Sequence, residues 1–372
     1  MNSFTSYFID YSQFPELIQS ALLIVAICLI GLSHMYSYIV FTRLYKAVNA
    51  RFMAKWKQRI NQLLSELVAD DDLATAQCVE KYTHLFKVLP LKRKPIKLLV
   101  EAEIVRFHQE FTGKTAEVLR ELFLALKLEK LAYKRLKDSN WENRVLGIKI
   151  LAQLNVRWAA PKLLALCDDE VGTLRMEAQA AFLKLSDEAP FRFLDRATEH
   201  ILEWHQLELL EVINKAKGLS LPSFSKWLTA KNDTVVILCL KLIRQYQQFD
   251  ALPYLVELLD HKNSHIRLLA IELLGQFEAY AYETELLQRY PSASQAEKLA
   301  ILHAIGQIAS GEQLDFLQAQ LLEESYELVF QALMAIKNHG AKGTRLLDKI
   351  YQSALPNKRQ MIDHLLDHRL NY

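Results

Sequence analysis

Two pairs of histidines stand four residues apart, a spacing that puts both rings on one face of a helix: His261/His265 and His364/His368. The second pair lies in DHLLDH, Asp363–His368. A helical zinc protease needs His-Glu-x-x-His, with the glutamate as base. Leu365 occupies that place here, and neither pair has an evident source for the two further ligands of a tetrahedral site. His261 and Asn263 read as turn residues that cap the following helix, and His364/His368 as solvated helix surface. The chain has no GxxxxGK[ST], GxGxxG or GxSxG, so no phosphate-cradling loop or nucleophile elbow is expected. Cys28, Cys78, Cys167 and Cys239 include no CxxC, which predicts unpaired thiols in a reducing compartment. The expectation is a non-enzyme, with no metal, no cofactor and no small-molecule substrate.

The elements that carry these residues are helices. The chain of 372 residues is 51% hydrophobic, with 10 Gly and 9 Pro, and good helix formers dominate it. No alternating Val/Ile/Thr pattern argues for strands. A formal charge of +2 leaves no general nucleic-acid footprint.

The longest apolar stretch is Leu17–Thr42, which contains no Asp, Glu, Lys or Arg. Its 26 residues exceed the ~20 needed to cross a bilayer core. Tyr7, Tyr11 and Phe14 precede it and Tyr36, Tyr38, Phe41 and Tyr45 close it, as interfacial aromatics do. His34 reads as an interfacial or partner-facing residue. Residues 1–16 lack the basic segment and small-residue cleavage site of a secretory signal. Arg43, Lys46, Arg51, Lys55, Lys57 and Arg59 follow the span before any acid appears at Glu66. The positive-inside rule therefore predicts a single-pass inner-membrane protein, N-terminus out, with the rest cytoplasmic. Those six cations would face anionic headgroups. Residues 43–69 also carry an apolar seam, Phe41, Tyr45, Val48, Phe52, Trp56, Ile60 and Leu63. That seam could pair with a partner helix or pack on the first repeat.

The expected organisation is a short extracytoplasmic segment (1–16), a transmembrane helix (17–42) and a basic amphipathic juxtamembrane helix (43–69). An irregular helical region (70–139) follows, with helices near 73–88, 95–112 and 115–136 and a basic turn at Leu91–Lys97. A repeat array (140–355) and a capping helix (356–372) complete it.

The array is legible as a column. Gly147, Ala178, Leu209, Cys239, Ala270, Ile301 and Ala332 are spaced by 31, 31, 30, 31, 31 and 31 residues. The small ones among them suit close helix crossing. The residues three and four beyond each column position are apolar in all fourteen cases. Pro161, Pro190, Pro222 and Pro253 mark the start of a shorter second helix in four successive units. A two-helix period of ~31 is the signature of an α-solenoid, in which no unit can bury its apolar face alone.

The pattern of short helix, Asp, turn, Arg and column helix resembles HEAT repeats: Asp138…Arg144, Asp169…Arg175 and Asp260…Arg267, with IRLLAIELLGQF (266–277) the nearest match. Gln206 and Val236 interrupt the Arg position in mid-array. The resemblance implies an all-α chain ending in a right-handed HEAT-like solenoid of about seven or eight hairpins. The layout is also similar to single-span bacterial HEAT proteins that work beside membrane glycosyltransferases in exopolysaccharide production. Some bilin lyases carry HEAT-like repeats too, which leaves a lyase or modifying enzyme as an alternative. A membrane-linked signalling adaptor is another.

Six residues past each column position the side chain is polar throughout. With the positions four residues earlier, this gives a candidate partner-binding stripe: Lys149, Gln153, Lys184, Lys215, Lys241, Gln245, Glu272, Gln276, His303 and Gln307. A helix face turned to water carries such residues without any ligand. Read as a groove, its mixed sign suits a membrane-associated protein partner better than nucleic acid, which wants a continuous basic track.

Overall fold

Helix α1 runs unbroken from Glu16 to Ala69 in a computed structural model that describes residues 15–70, 75–216 and 219–367. Pro15 precedes its first turn, where a missing N–H costs nothing, and Gly31 is its only glycine. Its 54 residues divide by burial. From Ile18 to Arg51 no side chain is buried, although Leu22–Ile30 and Met35–Val40 are largely apolar. From Phe52 the seam turns inward: Phe52 and Trp56 are half-buried, and Ile60, Leu63, Leu64 and Leu67 are in the core.

The chain forms two compact units, residues 1–131 and 132–372. In the first, α2 (Thr75–Lys87), α3 (Lys94–Glu110) and α4 (Lys114–Ala125) follow α1. Helix α1 packs on α2 and α3, and α4 closes on both of these. Ile60, Leu63, Leu64 and Leu67 of α1 and Ile96, Val100 and Ile104 of α3 are all buried where these two helices pack, so the second half of α1 is part of this unit. Helix α5 (Glu129–Arg135) carries the boundary. The single helix expected over 115–136 is thus two, interrupted where Lys127 takes a left-handed φ of 54°.

In the second unit the column helices are α6 (Trp141–Gln153), α8 (Gly172–Leu185), α9 (Glu203–Lys215), α10 (Asp233–Gln245), α12 (Ser264–Gln276), α14 (Gln295–Ile308) and α16 (Tyr326–Asn338). Short helices α7 (Ala160–Leu164), α11 (Leu252–Glu257), α13 (Glu283–Arg289) and α15 (Leu314–Ala319) stand between some of them. Helices α17 (Gly340–Ser353) and α18 (Pro356–Leu366) close on α16. The expected capping helix continues past Asp367 into residues outside those described. Column helix packs on column helix: α6 on α8, α8 on α9, α10 on α12, α12 on α14 and α14 on α16.

All seven column residues are buried. So are the residues three and four beyond them, except Val212, which is half-buried. The tightest crossings in the later units fall elsewhere. A Cβ on Gly275 would lie 2.6 Å from Ala304 Cα, and one on Gly306 would lie 2.7 Å from Ala335 Cα.

Pro161 and Pro253 open α7 and α11 as expected, but Pro190 and Pro222 do not open helices of comparable length. They precede 3-10 turns, Arg192–Asp195 and Phe224–Trp227. Aromatic rings fill the space that a longer helix would occupy. Phe191 stands edge-on to Phe224 at 4.9 Å, with Trp227 6.4 Å away, all three buried. Rings of this size bury enough area to hold a turn without extended helical packing.

Helix ends repeat as well. Lys127, Asn155, Gln247 and Glu278 each lie two residues beyond a helix in the left-handed region. The next residue's N–H returns to a carbonyl inside the helix: Leu128 to Phe123, Val156 to Leu151, Gln248 to Ile243 and Ala279 to Leu274. This is a Schellman closure made without glycine.

Candidate protein-binding ladder

Four of the seven column helices, α6, α10, α12 and α14, start at a side-chain-capped turn. Asn140, Asn232 and Asn263 accept from the N–H two residues on, and His261 Nδ1 accepts from Asn263 N at 3.1 Å. Arg175 donates to the Asp169 carbonyl at 2.6 Å and Arg267 to the His261 carbonyl at 2.6 Å. Arg144 reaches the next unit, pairing with Asp169 at 2.8 Å. The arginines therefore hold turns and join units. They are structural, and they leave the opposite ends of the column helices to present the polar stripe.

The structure gives most stripe residues a neighbour. Lys149 pairs with Glu177 at 2.8 Å, Arg244 with Glu272 at 2.9 Å, and Gln331 meets His303 at 3.2 Å. Each pair spans 28 residues in sequence. Lys241 donates to Gln206 at 2.9 Å, Gln245 bonds Asn214, and Lys215 pairs with Glu211 within its own helix. Gln153 is also engaged. Lys184, Gln276 and Gln307 stand exposed. The stripe is thus a ladder stitching one unit to the next, with open positions between the rungs. Glu177, Asn214, Arg244 and Gln331 belong to it, and the repeated 28-residue offset was the signal that could have found Glu177, Arg244 and Gln331, while Asn214 meets Gln245 at an offset of 31.

At Lys184 and Lys215 the ladder borders a cavity of about 550 Å³ that also takes in Arg157, Asp187 and Ser220. Arg157 pairs with Asp187 at 2.7 Å. Desolvation in the cavity wall holds the Lys184 ammonium below its ordinary pKa. The cavity offers three cations and one carboxylate on an open surface.

Among the described residues no group of three His, Cys, Asp or Glu is placed to hold a metal. His261 is engaged in its turn, His265 is exposed, and His364 packs near Phe330, while His368 lies outside the described residues. Cys78, Cys167 and Cys239 are buried free thiols that burial pushes above the usual cysteine pKa, the opposite of an activated nucleophile. Of the basic residues on α1, Arg43, Lys46, Arg51 and Lys55 are exposed, Lys57 pairs with Glu103 at 3.3 Å, and Arg59 donates to Gln62 at 3.0 Å.

The class these features define is an all-α chain of stacked HEAT-like helical hairpins with one long apolar helix near its start. No family model matches the sequence, and no curated protein matches it. Solved structures do show likeness. YIBA_ECOLI is 17% identical over 65% of this chain and 93% of its own, with a TM-score of 0.37. An engineered protein from the Northeast Structural Genomics Consortium, target OR497, is 14% identical over 78% and 87%, with a TM-score of 0.35. The karyopherin Kap121p, solved bound to the extreme C-terminus of the protein phosphatase Cdc14p, is 14% identical over 84% of this chain at a TM-score of 0.31. The match spans 36% of Kap121p, and the phosphatase is a partner of Kap121p.

Proposed function

We propose that this protein is a single-span membrane scaffold of the bacterial inner membrane, with residue 43 onward in the cytoplasm and the helical array docking a membrane-associated protein partner. The supporting observation is the division of α1: its apolar half carries no buried side chain, and its second half is built into a folded unit. A helix long and apolar enough to cross a membrane, followed by six cations before the first acid, favours that orientation. The ladder supplies the docking surface, with Lys149, Gln153, Lys184, Lys215, Lys241, Gln245, Glu272, Gln276, His303 and Gln307 as its residues. Anchoring confines the array to the membrane and raises its effective concentration toward a partner there. The layout makes a membrane glycosyltransferase of an exopolysaccharide system the first partner class to test. The protein's role is binding, with no chemistry of its own.

The test is crosslinking of the full chain in membranes, with mass spectrometry of what is captured. A specific membrane protein captured by the natural chain, and lost in a Lys184→Glu/Lys215→Glu variant that still folds, supports the reading. Capture that is unchanged in that variant removes the ladder from the docking surface.

A further inference from the structure

We propose that the turn between α2 and α3, which carries exposed Lys87, Val88, Lys92, Arg93 and Lys94, is a second anionic-lipid contact that faces the same leaflet as Arg43–Lys55 of α1. The inference rests on α1 crossing the bilayer. It goes beyond that reading by making the first folded unit itself a lipid-reading surface.

Contacts along α1 set the level of this turn. Lys81, midway along α2, pairs with Asp70 at the far end of α1, at 2.6 Å. From Lys81 helix α2 runs on toward the apolar half, its last six residues covering about 9 Å. Arg93, just before α3, stacks its guanidinium over the Phe52 ring at 5.7 Å. Helix α3 descends again beside α1, with Glu103 at Lys57 and Arg106 at Asn61. The α2–α3 turn therefore stands at the end of the unit nearest the apolar stretch. Phe52 is ten residues beyond Thr42, about 15 Å along the axis. Extended lysine and arginine side chains shorten the remaining gap to the headgroups.

Charge is sorted by the same level. Residues 17–65 contain no acid, and neither do residues 81–100. The structure brings these two acid-free stretches together where Arg93 lies over Phe52, with Arg51 and Lys55 close to Phe52 in sequence and Lys92 and Lys94 on either side of Arg93. The acids packed nearby are Glu101 and Glu103 on α3 and Glu66 on α1, and on the α4 side Glu80 and Glu121 line a cavity together with Lys87. Lys87, Lys92, Arg93 and Lys94 are exposed. At the tip Val88 is 79% exposed and Leu85 joins it at the surface. Like charges held together at one end of a unit repel one another, and an anionic leaflet relieves that repulsion. An exposed apolar tip in a turn that carries lysines has the amphipathic character of an interfacial contact.

The full chain, reconstituted in nanodiscs of phosphatidylcholine alone or mixed with phosphatidylglycerol, is treated with an amine-acylating reagent and labelling is read by mass spectrometry. The proposal predicts several-fold lower labelling of Lys87, Lys92 and Lys94 in the anionic discs, with Lys231 and Lys349 unchanged as internal controls. A Lys92→Glu/Lys94→Glu variant, shown by circular dichroism to be folded, should lose the protection of Lys87. Equal labelling in both discs, from a chain that has entered them, overturns the lipid contact and leaves the membrane reading standing. Protection produced in neutral discs by inorganic phosphate overturns it in favour of a free-phosphate site. A chain that does not enter discs at all overturns both.

Discussion

Lys241 donates to Gln206 at 2.9 Å, and Gln206 in turn donates to the Ile201 carbonyl at 3.0 Å. Gln206 stands at the position where Arg175 and Arg267 hold the same kind of turn carbonyl in their units. The missing arginine is therefore replaced in function by an amide, which the next helix orients. Gln206 is only 2% exposed, so its loss leaves buried groups without partners. Gln206→Ala is expected to cost about 1–3 kcal/mol, read as a lower thermal unfolding midpoint.

Gly306 lets α14 and α16 approach until a Cβ would stand 2.7 Å from backbone. A larger residue must push the two helices apart. Gly306→Leu should destabilise the array by about 1–3 kcal/mol or more, whereas the same change at Gly172, where the nearest atom to an added Cβ is the Arg175 guanidinium 3.9 Å away, should cost far less. Denaturant titration of the two variants compares them directly.

His205 is buried with no hydrogen-bond partner on Nε2, and burial, then the nearby Arg175 charge, hold its imidazole down to about 4. The folded state therefore refuses a proton that the unfolded chain accepts near its ordinary value of 6.5. This group penalises folding increasingly as pH falls from about 6.5 toward 4, by on the order of 3 kcal/mol in full. His205→Phe should flatten the stability profile between pH 7 and pH 5 without lowering stability at pH 7 by a comparable amount. Unfolding curves of both proteins across that range would show it.

Much of the repeat was legible because burial has a period. The column Gly147 to Ala332, and the apolar residues after it, marks buried positions that only a stacked helix pair supplies. Three features were not legible. The turns at Pro190 and Pro222 look like helix starts, because a proline cannot reveal that Phe191, Phe224 and Trp227 will pack in place of a longer helix. The helix stops at Asn155, Gln247 and Glu278 carry no glycine to announce a left-handed residue. The ladder pairs depend on which helices lie side by side, so Lys149 and Glu177 read as two surface charges until α6 is placed on α8. On α1 the sequence offered a basic face, a partner seam and a packed seam together. Burial separates them from Phe52 onward, where the apolar seam turns into the core while Lys55, Lys57 and Arg59 stay exposed.

The central claim is that α1 crosses a membrane and leaves the array on the cytoplasmic side. Its most direct test combines alkaline carbonate extraction of membranes with protease treatment of sealed right-side-out vesicles. The account predicts that the chain stays in the carbonate-resistant pellet and that residues 75–367 survive protease until the vesicles are opened. Release into the carbonate supernatant, or digestion of the array in intact vesicles, would contradict it.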